Sequence, residues 1–330
     1  MTRRATGLAL ILAGLALVLL LSVSVGARPI PIDRVWDLVW SPDGSDDAII
    51  VHDLRIPRTI LGVIVGAALG VGGALMQALT RNPLGDPGLL GVNAGAAAAV
   101  VTATALFGIV SPLVYVWFAF VGAALASVVV YGVGASGRSG ATPVRLALAG
   151  TAVSFALIAY VQGLTLIDRD TLDQYRFWEV GALAGHPPSL NRQIAPFVVI
   201  GLLLAFTLGR PLNAIGLGEE AGRALGASPG RTRILGAVSI TLLCGAATAA
   251  VGPIAFVGLT VPHVARAITG PDQRWVLPYS ALLAPVMLLG ADVVGRVVNR
   301  PGELEVGIVS ALIGGPVFIA IVRRRRIAQL

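Results

Sequence analysis

The chain has 330 residues, of which 56% are hydrophobic and only 12% charged, with a mean hydropathy of +0.85. A soluble domain carries about a quarter charged residues, so a soluble globular class is excluded. All 24 basic residues are arginine, which excludes a lysine-bearing phosphate loop, and the formal charge of +7 reads as membrane topology before affinity for nucleic acid.

A membrane span needs about 20 apolar residues. In chain order, spans are predicted at 7–25, 59–79, 88–107, 113–135, 144–167, 191–209, 233–251, 254–268, 275–295 and 305–322. The expected class is therefore an all-α polytopic membrane protein of about ten transmembrane helices in one domain, 1–330. The first run could also be read as a signal peptide, since TRR precedes it and SVGA follows it. Its stretch from Gly7 to Val25 is longer than a usual signal core, which favours a retained span.

The loop before the second span reads DDAIIVHDLRIPRTI and is acidic, yet Arg55 and Arg58 stand at its membrane edge with Pro57 between them, expected to hold a turn. Guanidinium groups there suit the carboxylates of a protein partner or lipid headgroups, and the residues alone leave both open. Within the second and third spans, Gly62, Gly66 and Gly70, then Gly91 and Gly95, recur at four-residue spacing, a pattern that lets helix backbones approach closely. RNPLGDPGLLG, from Arg81, interrupts the apolar pattern between these spans.

LGEEAGRALGASPGRTR, from Leu217, is polar between apolar runs. Glu219 and Arg223 are one helical turn apart, Leu217, Ala221 and Leu225 form an apolar stripe, and Gly226 supplies a stop. Ser228-Pro229 then gives an N-cap and first-turn proline for the next span. From Leu235 to Ile268 the apolar run is too long for one helix and short for two, with Gly252-Pro253 at its middle. That break is either a tight turn or a lining for a cavity.

Polar groups inside the spans are few: Gln77, Asn93, Gln162, His263 and Asp292. Asp292 lies one turn before Arg296, so a local ion pair is expected. No HExxH, no G-x-S-x-G and no close acidic pair is present in the spans, which leaves an intramembrane enzyme without machinery. A proton-coupled carrier would want a carboxylate near the midplane. Cys244 is the single cysteine, a packing residue. With a cytoplasmic N-terminus, 15 arginines fall inside and 9 outside, while 13 of 17 acids fall outside. Both termini are then cytoplasmic, as the positive-inside rule wants.

Five separated stretches, RIPRTILGVIVGAALGVGGALMQALTRNPLGDPGLLGVNAGA, FWEVGALAG, LGEEAGRALG, GPIAFVGLTVPHVAR and ADVVGR…GELEVGIVSALIGGPVF, stand in order over nearly the whole chain. Together they resemble the FecCD-type permeases, the membrane subunits of ABC importers for iron–siderophore complexes, haem and vitamin B12. The resemblance implies the type II ABC importer permease fold in the cytoplasmic membrane. It also implies a second permease subunit (identical or a paralogue), two cytoplasmic ATPase subunits that hold ATP and magnesium, and an extracytoplasmic binding protein. No catalytic residue, metal or cofactor is expected on this chain, and no nucleic-acid partner. A siderophore leads as substrate on family abundance, with haem or cobalamin as the alternative and a secondary carrier far behind.

Residue by residue, the resemblance matches Arg55, Arg58 and Arg296 to arginines that receive the binding protein, and Asn82, Pro83, Leu84, Ala141 and Thr142 to the cytoplasmic gate. Gly218, Glu219, Glu220, Arg223, Leu225 and Gly226 match the helix that docks on the ATPase, within a coupling segment of about 211–232. Glu303-Leu304-Glu305 departs from the family's E-L-P, and Ala284-Pro285 from its Gly-Ala, where the proline would kink the ninth span. Gly85 stands where alanine is common.

Overall fold

The computed structural model of the protein describes residues 2–136 and 142–323, and among them every regular element is helical. In chain order they are α1 (Thr2–Ser24), α2 (Ile32–Trp40), α3 (Asp46–Ile49), a π-helical turn Ile50–Arg55 that runs directly into α4 (Ile56–Thr80), a 3-10 turn Pro87–Leu90, α5 (Val92–Phe107), α6 (Pro112–Ala135) and α7 (Pro143–Ile167). There follow α8 (Arg169–Glu179), α9 (Ser189–Thr207), α10 (Gly209–Gly216), α11 (Glu219–Ala224), α12 (Pro229–Val251), α13 (Val257–Thr269), α14 (Gln273–Val298) and α15 (Val306–Arg323). Each of the ten expected spans has its helix: α1, α4, α5, α6, α7, α9, α12, α13, α14 and α15. Seven are long and apolar enough to cross a membrane alone, while α5 and α15 are shorter and α13 has 13 residues.

Helix α4 is the axis of the packing, buried along most of its length. The glycine face expected on it meets α14: a Cβ built on Gly66 would stand 2.7 Å from both Cα and N of Pro285. Pro285 removes one backbone donor from α14, yet the helix runs unbroken through it, and Gly66 gives its ring backbone room. Gly95 packs in the same manner on the backbone of Gly122 in α6. Gly91 has a second role: it is the left-handed residue (φ 73°) that starts α5, and it also faces α6, where a Cβ would stand 3.3 Å from Val130 and 3.5 Å from Ala126. The turn expected at Pro57 is absent, because Pro57 lies in the first turn of α4, in a helix continuous with the π-helical turn before it.

The break at Gly252-Pro253 is real. Helix α12 ends at Val251, Gly252 takes φ 76° against the carbonyl of Trp178, and α13 begins only at Val257. The loop after α8 covers it: Ala182 N donates to Val251 O at 2.9 Å, and Gly307 N of α15 donates to Gly181 O at 2.9 Å. Backbone at membrane depth is thus satisfied by protein.

The start of α1 lies beside the end of α13, with Arg3 and Arg4 donating to the carbonyls of Ala267 and Thr269 at 2.8 and 2.9 Å. Helix α15 runs parallel to α13, with Gly314 beside Phe256 and the Phe318 ring 6.1 Å from that of His263. Both described ends of the chain therefore lie on one face, the terminal face. The ends of α1, α14 and the start of α4 lie opposite, on the arginine face.

Candidate functional site

The C-terminal end of α1 carries four carbonyls that its own helix leaves without donors. Leu21 O receives Val25 N, and the other three receive guanidinium. Arg296 donates through Nη1 to Ser22 O at 2.6 Å, and Arg55 donates to Val23 O and Ser24 O at 3.0 and 2.8 Å. Arg300 adds a bond to Gly26 O at 3.0 Å. Cations at a helix C-terminus also complement its dipole. Arg296 and Arg55 are consequently sunk, 1% and 4% exposed, so two of the three arginines expected to face a partner instead cap α1 in this conformation.

The expected ion pair of Asp292 with Arg296 is present, and it is shared. Asp292 is fully buried and also accepts from Arg58 Nη2 at 2.7 Å and Nε at 3.2 Å. Arg58 Nη1 donates to Glu303 at 2.6 Å, and its side chain keeps 13% exposure. This network joins α1, α4, α14 and the loop before α15, over sequence separations of 234 to 274 residues. Nothing local in the sequence marks Glu303 as the partner of Arg58.

Beside Arg58 opens a vestibule of about 310 Å³, bounded by Tyr115 of α6, Trp178 of α8, the loop residues Ala182 to His186, Val251 at the helix break, and Glu303 to Val306. The break is therefore a cavity lining as well as a turn. His186 Nε2 bonds Ala182 O at 3.0 Å, while its Nδ1 and the Trp178 indole N–H are buried without partners. Burial pushes the His186 pKa below its usual value, and the nearby Arg58 cation pushes it the same way.

On the terminal face, α11 stands out from the bundle. Its stripe residues Leu217 and Leu225 are 71% and 65% exposed, and Glu220, Arg223 and Gly226 are exposed as well. Gly226 is the left-handed stop (φ 82°), as expected, with Ala227 N donating to Gly222 O. The expected partner of Arg223, the Glu219 side chain, lies outside the described atoms. Ser228 occupies the N-cap of α12 without a side-chain bond; its carbonyl instead receives Thr232 N and Oγ1 at 2.9 and 3.0 Å. Behind α11, Asn213 of α10 donates to Asp272 at 2.6 Å and accepts from Gln273 N at 2.8 Å, fixing the segment to the first turn of α14. The Arg274 guanidinium, with Asn213, holds the Asp272 carboxyl down to about 2.

The residues expected at the gate lie on the same face. Asn82 Oδ1 accepts from Leu84 N at 2.9 Å in a turn set by left-handed Arg81 (φ 48°), and Leu84 is exposed. Thr142 caps α7 by accepting from Arg145 N, while Ala141 lies outside the described residues. Deeper in, a cluster the sequence showed only in pieces comes together: Arg266 of α13 donates to Gln77 of α4, whose amide donates to Gly258 O and Leu259 O at 3.3 and 3.1 Å. Arg266 is 6% exposed and meets no carboxylate among the described residues. Gln162 is exposed on α7, and Asn93 accepts from Thr248 at 3.0 Å.

Comparison with known proteins places these features in one family. The family model described as the FecCD transport family matches residues 14–324. The ferric enterobactin transport system permease protein FepD of Escherichia coli strain K12 is 46% identical, over 96% of each chain. The probable siderophore transport system permease protein YfiZ of Bacillus subtilis strain 168 is 40% identical over 88% of this chain and 87% of that one. A solved structure described as an inward-facing conformation of a metal-chelate type ABC transporter superposes with a TM-score of 0.85, covering 97% of this chain and 99% of that one at 24% identity.

Proposed function

Since the chain belongs to the FecCD transport family, we propose that it is the permease subunit of an ATP-driven importer that moves an iron–siderophore complex across the cytoplasmic membrane. The observation that carries this reading is the similarity along 96% of its length to a ferric enterobactin permease. The exposed α11 is the structural feature that makes it mechanical. An apolar stripe standing in water is unfavourable, and a partner ATPase that covers Leu217, Ala221 and Leu225 would remove it. Force on α11 would then reach α14 through Asn213 and Asp272, and α14 reaches α4 along the glycine face.

In this reading the whole chain acts as one permease domain, with the terminal face and both termini in the cytoplasm. ATP and magnesium sit on two partner ATPase subunits, and this chain binds no cofactor. A second permease subunit, identical or a paralogue, covers α7, where Gln162 and Tyr160 are exposed. Polar groups turned to lipid are costly, so that face suits a partner around a watery path. An extracytoplasmic binding protein docks on the arginine face, with Arg58 taking its carboxylate and Arg55 and Arg296 holding the platform behind. Asn82, Pro83, Leu84, Ala141 and Thr142 form the inner gate.

The test is reconstitution with the ATPase and binding protein in proteoliposomes. Ferric-siderophore-loaded binding protein is expected to stimulate ATP hydrolysis, and the permease alone to hydrolyse none. Leu225→Asp is expected to release the ATPase in a detergent pull-down while the permease keeps its melting temperature. An intact complex would remove α11 from the coupling role, and uptake by the permease alone along a proton gradient would make it a secondary carrier.

A further inference from the structure

We infer that Glu303 is an internal competitor for the docking arginine: a latch on Arg58 that an arriving carboxylate displaces, opening the vestibule behind it. This rests on the reading of Arg58 as a docking residue. The Arg58 guanidinium is held on two sides of unequal kind. Nε and Nη2 go to Asp292, which is fully buried and shared with Arg296, so that side belongs to the packing. Nη1 goes to Glu303, whose side chain is 30% exposed, so that side is open to exchange.

The same two residues stand between two cavities. One is the vestibule; the other is a crevice of about 230 Å³ whose walls include Arg28, Arg55 and Arg296. Arg58 and Glu303 line both, so their ion pair is the partition. The crevice lining has four arginines and one acid, Glu303. Arg296 is held by Asp292, Arg28 by Asp47 at 3.3 Å and Arg55 by the α1 carbonyls. The place that fits a carboxylate side chain of a protein partner is therefore the one Glu303 holds on Arg58. A carboxylate that replaces a carboxylate leaves no guanidinium uncompensated, so the exchange is decided by the partner's concentration and orientation.

Release of Glu303 acts on the vestibule directly. Leu304, Glu305 and Val306 are part of its wall, and Glu305 O accepts Ile308 N at 3.1 Å to start α15. Gly307, in the first turn of α15, holds the loop over the helix break by donating to Gly181 O. Leu304 N also donates to Gly295 O at 3.1 Å, so the segment stays anchored to α14, and the exchange acts by moving the Glu303 side chain out of the partition.

The experiment uses the assembled importer in nanodiscs, with ligand-free binding protein as the probe in biolayer interferometry. Arg58→Gln is expected to weaken docking by about tenfold, the loss of a charge-assisted contact. Glu303→Ala and Glu303→Gln are expected to tighten it about twofold to fivefold, the range of an exposed ion pair. Ala184→Cys on the vestibule wall, read with a membrane-impermeant maleimide, is expected to label faster in Glu303→Ala and on addition of binding protein; the native Cys244 is buried and stays silent. If Arg58→Gln weakens docking while both Glu303 variants leave it unchanged or weaker, the latch is overturned and the docking role stands. If Arg58→Gln has no effect, the docking role falls and the latch with it. Unchanged labelling in Glu303→Ala overturns the opening of the vestibule.

Discussion

Helix α4 supports a buried guanidinium near each of its ends, about 28 Å apart along the helix, and the two are treated in opposite ways. On the arginine face, Arg296 is neutralised by Asp292, which also takes Arg58 of α4. On the terminal side, Arg266 is held by the neutral amide of Gln77. Removing a charge partner from a buried pair strands the other charge, which costs far more than a hydrogen bond. The arginine face is therefore a brittle tie among four segments. The Gln77 contact is a softer joint between α4 and the half-span α13, which suits a region next to the proposed gate.

The largest effect should come from cutting the brittle tie. Asp292→Asn removes the one carboxylate that serves both Arg58 and Arg296, and should destabilise the fold by about 3–5 kcal/mol. The measurement is the melting temperature of the purified permease in nanodiscs. A loss under 1 kcal/mol would mean that the α1 carbonyls alone satisfy Arg296, and the contrast between the two ends would collapse.

A smaller loss is expected at the joint. Gln77→Leu removes a hydrogen bond to a charged group, worth about 1.5–3 kcal/mol. It leaves the buried Arg266 without that acceptor but breaks no ion pair, since Arg266 meets no carboxylate among the described residues. Combining it with Arg266→Met should recover much of that stability, because apolar replacement of a buried polar set is often neutral. If Gln77→Leu costs as much as Asp292→Asn, or the double variant recovers nothing, the joint is no softer than the tie.

How much of this could be read from residues alone follows the range of the interactions. Helical period and apolar length placed all ten spans, because those signals are local. The Asp292–Arg296 pair was legible for the same reason, one turn apart on one helix. Gly66 announced a close contact but could not name Pro285 as its partner. Arg55 and Arg296 were singled out as conspicuous, yet their bonds to the end of α1 join residues 31 and 274 positions apart. The sequence even points the other way: Gly26 stands where a left-handed stop for α1 would be expected, yet it does not take a positive φ, and the carbonyls take arginines instead. For Glu303 there was no signal, because only the fold brings it to Arg58.

The smallest expected effect is a pH dependence at the vestibule, and its sign is fixed by the same neighbourhood. His186 lies in the loop after α8, where burial and Arg58 both depress its pKa below the unfolded value near 6.5. The folded state therefore binds fewer protons at this group than the unfolded state does. Stability tied to neutral His186 is fully present above about pH 6.5 and declines as pH falls through the folded value. The melting temperature should drop between pH 7.5 and 5.5, and His186→Gln should flatten that part of the profile. Asp292→Asn should not flatten it, since Asp292 does not line the vestibule that holds His186. If Glu303→Ala lowers the melting temperature further at pH 5.5 than at 7.5, the unlatched Arg58 is repelling protonated His186 more strongly. Equal losses at both pH values would show that the latch and the histidine act independently within one cavity.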